Sequence, residues 1–217
     1  MIDTLINLDN ALATLAHRQP LQIGVGEVDE TLLAYYEELD ELTRQALEAE
    51  IERNDFEGEA AAIALLYFVQ LYLIGSGGDD IGEGQADFDS ELATNNEAIP
   101  GLADDIYNGR YSANEETGQT AEVGRAMLRS RLFLWTATAA SIYALGQLFN
   151  EAVSKYAWAL GGTLEHCVDC RRLNGQVHRR LEWWFSGYRP QGRNLACGGW
   201  RCDCSLVPTD AAVSGGF

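Results

Sequence analysis

Residues 162–208 read GTLEHCVDCRRLNGQVHRRLEWWFSGYRPQGRNLACGGWRCDCSLVP, and they hold every cysteine of the chain. The spacing is C-x2-C-x26-C-x4-C-x-C from Cys167 to Cys204, and the 166 residues before it contain no cysteine. A C-x2-C pair fits a tight turn that presents two thiolates to one ion. A second turn, ACGGWRCDC, supplies the rest, and four thiolates in a tetrahedron suit zinc. Sulfur softness also admits iron–sulfur, with zinc the commoner structural choice. The segment has few aliphatic residues, so metal bonds would carry much of its folding free energy.

The candidate ligands are Cys167, Cys170, Cys197, Cys202 and Cys204, five thiols for four positions. Cys167 and Cys170 are the firm pair. Cys202 and Cys204 complete the set, with Cys197 as substitute. His166 and His178 could each replace a thiol, but they read first as ordinary polar surface residues. Two disulfides plus one free thiol form the competing reading. An odd cysteine count fits that framework poorly. The start MIDTLINLDN lacks the basic residues and apolar run of a signal peptide, and without secretion thiols stay reduced. A thiol enzyme is not expected. Every cysteine belongs to the cluster, and no separate His–acid pair accompanies it. The C-x2-C is followed by Arg171-Arg172 and Leu173-Asn174-Gly175, a turn rather than the sustained helix of a redox motif.

Upstream the chain reads as helical. Leu5, Leu8, Leu12 and Leu15 recur at the spacing of one helix face, with Asp3 or Thr4 as cap. A second helix is predicted from about Val28 to Asn54, with Leu32, Tyr36, Leu39, Leu42, Ala46 and Ile51 inward and a solvated acidic face. From Gly58 to Gly75 the sequence is almost wholly apolar. Its core, Ala60–Ile74, is about 15 residues long, short of the roughly 20 that span a bilayer, so it reads as a buried central helix. GSGGDDIGEGQADFDSE reads as a loop. It lacks the calcium-loop pattern and the lysine of a phosphate loop. A short helix is predicted over about Asn96–Asn108 with Pro100 in its first turn. A long one follows over about Thr120–Ser154, roughly 50 Å. Tyr156, Trp158 and Leu160 then alternate as in a short strand, and TDAAVSGGF reads as an extended end. The fold class is mainly α: an acidic helical domain, residues 1–155, followed by a small Cys-rich zinc-binding α+β module, residues 156–217.

Charge divides the same way. Residues 1–120 hold 26 Asp/Glu and 4 Lys/Arg, while residues 121–217 hold 7 and 11. An acidic first half repels phosphate, so neither nucleic acid nor membrane is expected as a main partner. The basic half complements an acidic neighbour. Arg125, Arg129 and Arg131 of the long helix are placed to meet the acidic second helix.

Several features occur in a known order: the aromatic strand YAWAL, HCVDCRRLNGQVH, a tryptophan-rich stretch, Pro190 and a terminal CDC. This resembles the C-terminal domain of phage minor head proteins, the phage Mu head-morphogenesis family. Cys167 and Cys170 match its C-x2-C, Leu173-Asn174-Gly175 its L-D/N-G turn, and Cys202 and Cys204 its last pair. Where the family has histidine-proline before that pair, this chain has Leu195-Ala196-Cys197-Gly198-Gly199, and Cys197 takes the histidine's place. The resemblance covers about residues 100–208. It implies a virion component, assembled in the host cytoplasm and present in few copies near the portal vertex. Its implied partners are portal, capsid or neck proteins, or further copies of itself. The alternative is a nucleic-acid-binding zinc module, suggested by arginines alternating with Trp183, Trp184 and Trp200.

Overall fold

The computed structural model describes residues 25–78, 80–162, 165–199 and 203–217. The leucine stripe of residues 5–15 lies outside them. The described chain is mainly helical, 61% helix and 8% strand, with six α-helices and one small three-stranded sheet.

Helix α1 (Val25–Leu47) buries Tyr35, Leu39, Leu42 and Ala46, a stripe at alternating steps of four and three residues. It stops short of the predicted Asn54. Ala49 takes a left-handed φ of 57°, and the Ile51 carbonyl is held at 2.8 Å by the Tyr107 hydroxyl. The chain therefore turns at residues 48–52 and restarts as α2 (Arg53–Ser76), capped at its end by Gly77. This is the apolar run of the sequence, and it is central: α1, α3 and α4 all pack on it. Both α2 and α4 are long and apolar enough to cross a membrane by length and composition, and each buries more than half of its most apolar window inside the protein.

Helix α3 (Gln85–Tyr107) begins eleven residues before the predicted start and carries Pro100 in its interior. The Gly-Asp-rich stretch concealed it. Asp89 and Ser90 lie on its wet face, while Phe88 is buried and meets the Tyr72 ring edge-on at 5.8 Å. Helix α4 (Ala121–Phe149) is capped by Thr120, whose hydroxyl accepts from the Val123 amide at 3.2 Å. Its 29 residues span about 43 Å. It ends five residues before the predicted Ser154, where Asn150 turns extended and its side-chain amide donates to the Gly75 carbonyl at 3.3 Å.

Arg125 pairs with Glu48 at 2.8 Å and Arg129 with Asp40 at 2.9 Å, as the charge pattern predicts. Arg131 instead points across to α3, where it binds Asp105 and, at 3.0 Å, the Tyr111 hydroxyl. Burial pushes the Asp105 carboxyl up, but the Arg131 and Arg110 hydrogen bonds outweigh it and hold the group below the usual carboxylate range.

The cysteine-bearing region is built on strands β1 (Lys155–Ala159), β2 (Val177–Arg179) and β3 (Ser205–Pro208), antiparallel in the order β2-β1-β3. Short helices α5 (Val168–Leu173) and α6 (Arg180–Ser186) flank the sheet. A second hydrophobic cluster sits here, with Trp158, Trp183, Leu173, Leu206 and the end of α4. The Trp183 indole donates to the Tyr156 carbonyl at 3.0 Å. The module is fastened to the acidic body. The Trp184 indole donates to Asp87 at 3.3 Å, Arg189 pairs with Glu91, and the Tyr156 hydroxyl donates to the Gln147 carbonyl at 2.7 Å.

The C-terminal tail is irregular, as the sequence suggests, but it is tied down. The Ser214 amide donates to the Val177 carbonyl at 2.8 Å, and Lys155 Nζ donates to the Asp210 and Ala211 carbonyls. Phe217 stacks on His178 with ring centroids 3.9 Å apart. His178 is therefore not the surface residue its polarity suggests: it is buried between Phe217 and the edge of Trp183. Burial pulls its pKa below the ordinary 6.5, and the Glu182 carboxylate only partly opposes this. The unfolded chain thus takes up the proton first as pH falls. Stability contributed by neutral His178 is complete above about 6.5 and drains away below it, down to the lowered folded value. Melting temperature followed from pH 7.5 to 5 should therefore fall more steeply for the wild type than for His178→Gln, which does not titrate.

Candidate metal centre

After β1 the chain passes Gly161-Gly162 and reaches Cys167, the N-cap of α5. Its backbone is extended (φ −65°, ψ 167°), and its Sγ accepts from the Cys170 amide at 3.4 Å. A sulfur thus replaces the oxygen usual at a helix N-cap. The next cysteine lies three residues on, one turn further round the same face, which is why x2 is the required interval. Asn174 and Gly175 then reverse the chain, with Gly175 at φ 77°.

The third thiol comes from the distant turn at residues 195–199. Leu195 is buried, and the Gly198 amide closes the turn on the Leu195 carbonyl at 2.7 Å. Gly198 and Gly199 both have positive φ, 61° and 81°. A Cβ on Gly199 would sit 2.1 Å from the Gln191 carbonyl oxygen, so this is one place where glycine is required. Asp169, lying between the two cysteines of the first turn, accepts the Ala196 amide at 2.7 Å. That one hydrogen bond clamps the second turn onto the first.

The ligand atoms of Cys167, Cys170 and Cys197 all lie within 4.8 Å of one another. Cys170 is buried, and Cys167 and Cys197 are half-buried. Burial pushes the Cys167 thiol up, but hydrogen bonds from Cys170 and Cys197 outweigh it and hold Cys167 below an ordinary thiol. A lowered pKa supplies the thiolate that metal binding needs. Three soft donors converging from two turns form a group able to hold a metal ion.

Cys204, just before β3, is buried and free. Its Sγ lies 3.9 Å from Nδ1 of His166, the residue next to Cys167. Cys202 lies outside the described residues. The structure thus gathers Cys167, Cys170 and Cys197, while the sequence reading ranked Cys197 as substitute. Asp169 was missed as a positioning residue. Its only signal was a carboxylate inside the C-x2-C loop. No family model, curated protein or solved structure matches this chain.

Proposed function

We propose that this chain is a structural component of a bacteriophage particle, a minor head or neck protein. In this reading its helical body docks on portal, capsid or connector proteins, and a zinc ion clamps its C-terminal module. The observation that carries the reading is the thiol cluster itself, because it joins the two turns that the phage-like motif order sets 26 residues apart. Zinc suits the donors: it favours thiolates, has no redox chemistry and closes structural sites with four ligands. Cys167, Cys170 and Cys197 would supply three, and the sequence offers His166, Cys202 and Cys204 as candidates for the fourth.

Contact roles for the tryptophans narrow at the same time. Trp158 and Trp183 are fully buried, so they pack the module and cannot stack on bases. Of the arginines that alternate with these tryptophans, Arg189 is engaged by Glu91, and Arg180 donates to the Leu148 carbonyl at 3.1 Å.

The test is quantitative mass spectrometry of gradient-purified phage particles. A few copies of this chain per particle are expected, at a fixed ratio to the portal protein. Absence from particles that retain their other head proteins would remove the virion assignment. It would leave the metal site untouched.

A further inference from the structure

A mostly apolar groove runs along α4 beside α1, with Asp105, Arg110, Arg129 and Arg131 also lining it. Met127, Ser130, Leu134 and Ala137 of α4, at steps of three, four and three, are among its lining residues. Phe133 and Leu33 line it as well, 61% and 56% exposed. It encloses about 1470 Å³, beyond the roughly 300–1,000 Å³ of a small-molecule site. That size suits a chain segment. We propose that the occupant is this chain's own N-terminal segment, residues 5–15, laid along the groove as an amphipathic helix.

Three observations converge on that occupant. First, Leu5, Leu8, Leu12 and Leu15 recur at the same steps of three, four and three as the lining residues Met127, Ser130, Leu134 and Ala137. Two helices with matching seven-residue repeats can pack side chain into gap along a shared seam. Second, the lengths agree. Residues 5–15 as a helix span about 15 Å, and Met127–Ala140 spans about 20 Å. Third, the tether reaches. Helices α1 and α4 run antiparallel, since Arg125 pairs with Glu48 and Arg129 with Asp40. The start of α1, at Val25, therefore lies toward the Ala140 end of the groove. Residues 16–24 can extend to about 30 Å, which is ample for the chain to reverse and enter from that end. Such a tether holds the segment at an effective concentration on the order of millimolar. Four leucines then suffice where a separate partner with the same contacts would be outcompeted.

Hydrogen exchange read by mass spectrometry, on the full chain with light scattering on the same sample, tests this. In the unmodified monomer, amides of residues 5–15 should exchange at least tenfold slower than an unstructured peptide. Leu8→Asp with Leu12→Asp should abolish that protection. Phe133→Asp, on the exposed side of the groove, should abolish it equally from the other partner. Protection within α2 should stay unchanged in both variants, which shows that the body is folded. Unprotected residues 5–15 in the unmodified chain would overturn the proposal, as would protection that survives Phe133→Asp. Protection seen only in a dimer, and lost on dilution, would assign the groove to a second copy and overturn it as well.

Discussion

Replacing Gly146 with valine should lower stability by at least about 3 kcal/mol, the upper range for overpacking a well-filled interface. For a domain of this size that corresponds to a fall in melting temperature of about 6–12 °C. The reason is backbone proximity. A Cβ on Gly146 would sit 2.2 Å from the Tyr72 carbonyl oxygen and 3.0 Å from the Ser76 amide, and one on Gly75 would sit 2.2 Å from the Tyr143 carbonyl oxygen. Helices α2 and α4 therefore touch main chain to main chain, each through a glycine. No rotamer change relieves such a contact, so the helices must part along the most extensive packing surface in the fold. Two internal controls separate this from the ordinary behaviour of helical glycine. Gly58 in α2 and Gly101 in α3 have open space where a Cβ would be. Gly58→Ala and Gly101→Ala should each stabilise by about 0.5–1 kcal/mol, because alanine loses less entropy on entering a helix. Thermal unfolding of the three variants together checks the argument. If Gly146→Val melts with the wild type, the close crossing is wrong.

That pair of glycines shows where the sequence is silent. Within a single helix, Gly75 and Gly146 read only as weak points, and their value appears once two helices cross. The features legible beforehand are those set by local spacing. The apolar run of α2, the strand alternation of Tyr156 and Trp158, and the C-x2-C turn each depend on residues a few positions apart. The features missed are set by distant partners. Nothing near Ala49 marks a helix break, which is fixed instead by Tyr107 reaching back to the Ile51 carbonyl. The start of α3 is hidden because a Gly-rich stretch runs straight into a wet face of Asp and Ser, and Phe88 gains its meaning only under Tyr72. The choice of Arg131 for Asp105 over α1 follows from the direction it leaves α4. The meeting of Cys197 with the first pair has the same origin. The spacing from Cys170 to Cys197 says nothing of their distance, while the Asp169–Ala196 hydrogen bond holds the Cys197 turn against the first.

Removing the ion from the zinc-loaded protein, or substituting Cys170 with Ser, should unlock the C-terminal module while leaving the helical body folded. The two hydrophobic clusters explain the separation. The larger one, through α1 to α4, holds none of the cysteines, whereas the smaller contains Cys170 and Cys204 beside Trp158 and Trp183. That smaller cluster has few aliphatic side chains, and small cores of this kind depend on a metal for much of their stability. Structural zinc sites in finger peptides contribute on the order of 10–16 kcal/mol of apparent binding energy near pH 7, comparable with the gross apolar burial of so small a cluster. A strong chelator should therefore abolish the near-ultraviolet circular dichroism of the packed pair Trp158–Trp183, whose ring centroids lie 5.6 Å apart. Far-ultraviolet helical signal should change little, since α1 to α4 supply most of it. Native mass spectrometry should show one zinc per wild-type chain and none in Cys170→Ser. Asp169→Ala should bind zinc at least tenfold more weakly, because it frees the second turn without touching a ligand; Asp169→Asn, which keeps an acceptor for the Ala196 amide, should recover part of that loss. A chelated protein with its tryptophan signal intact would mean that apolar packing alone holds the module. The cluster of thiols would then be a consequence of the fold rather than its fastening.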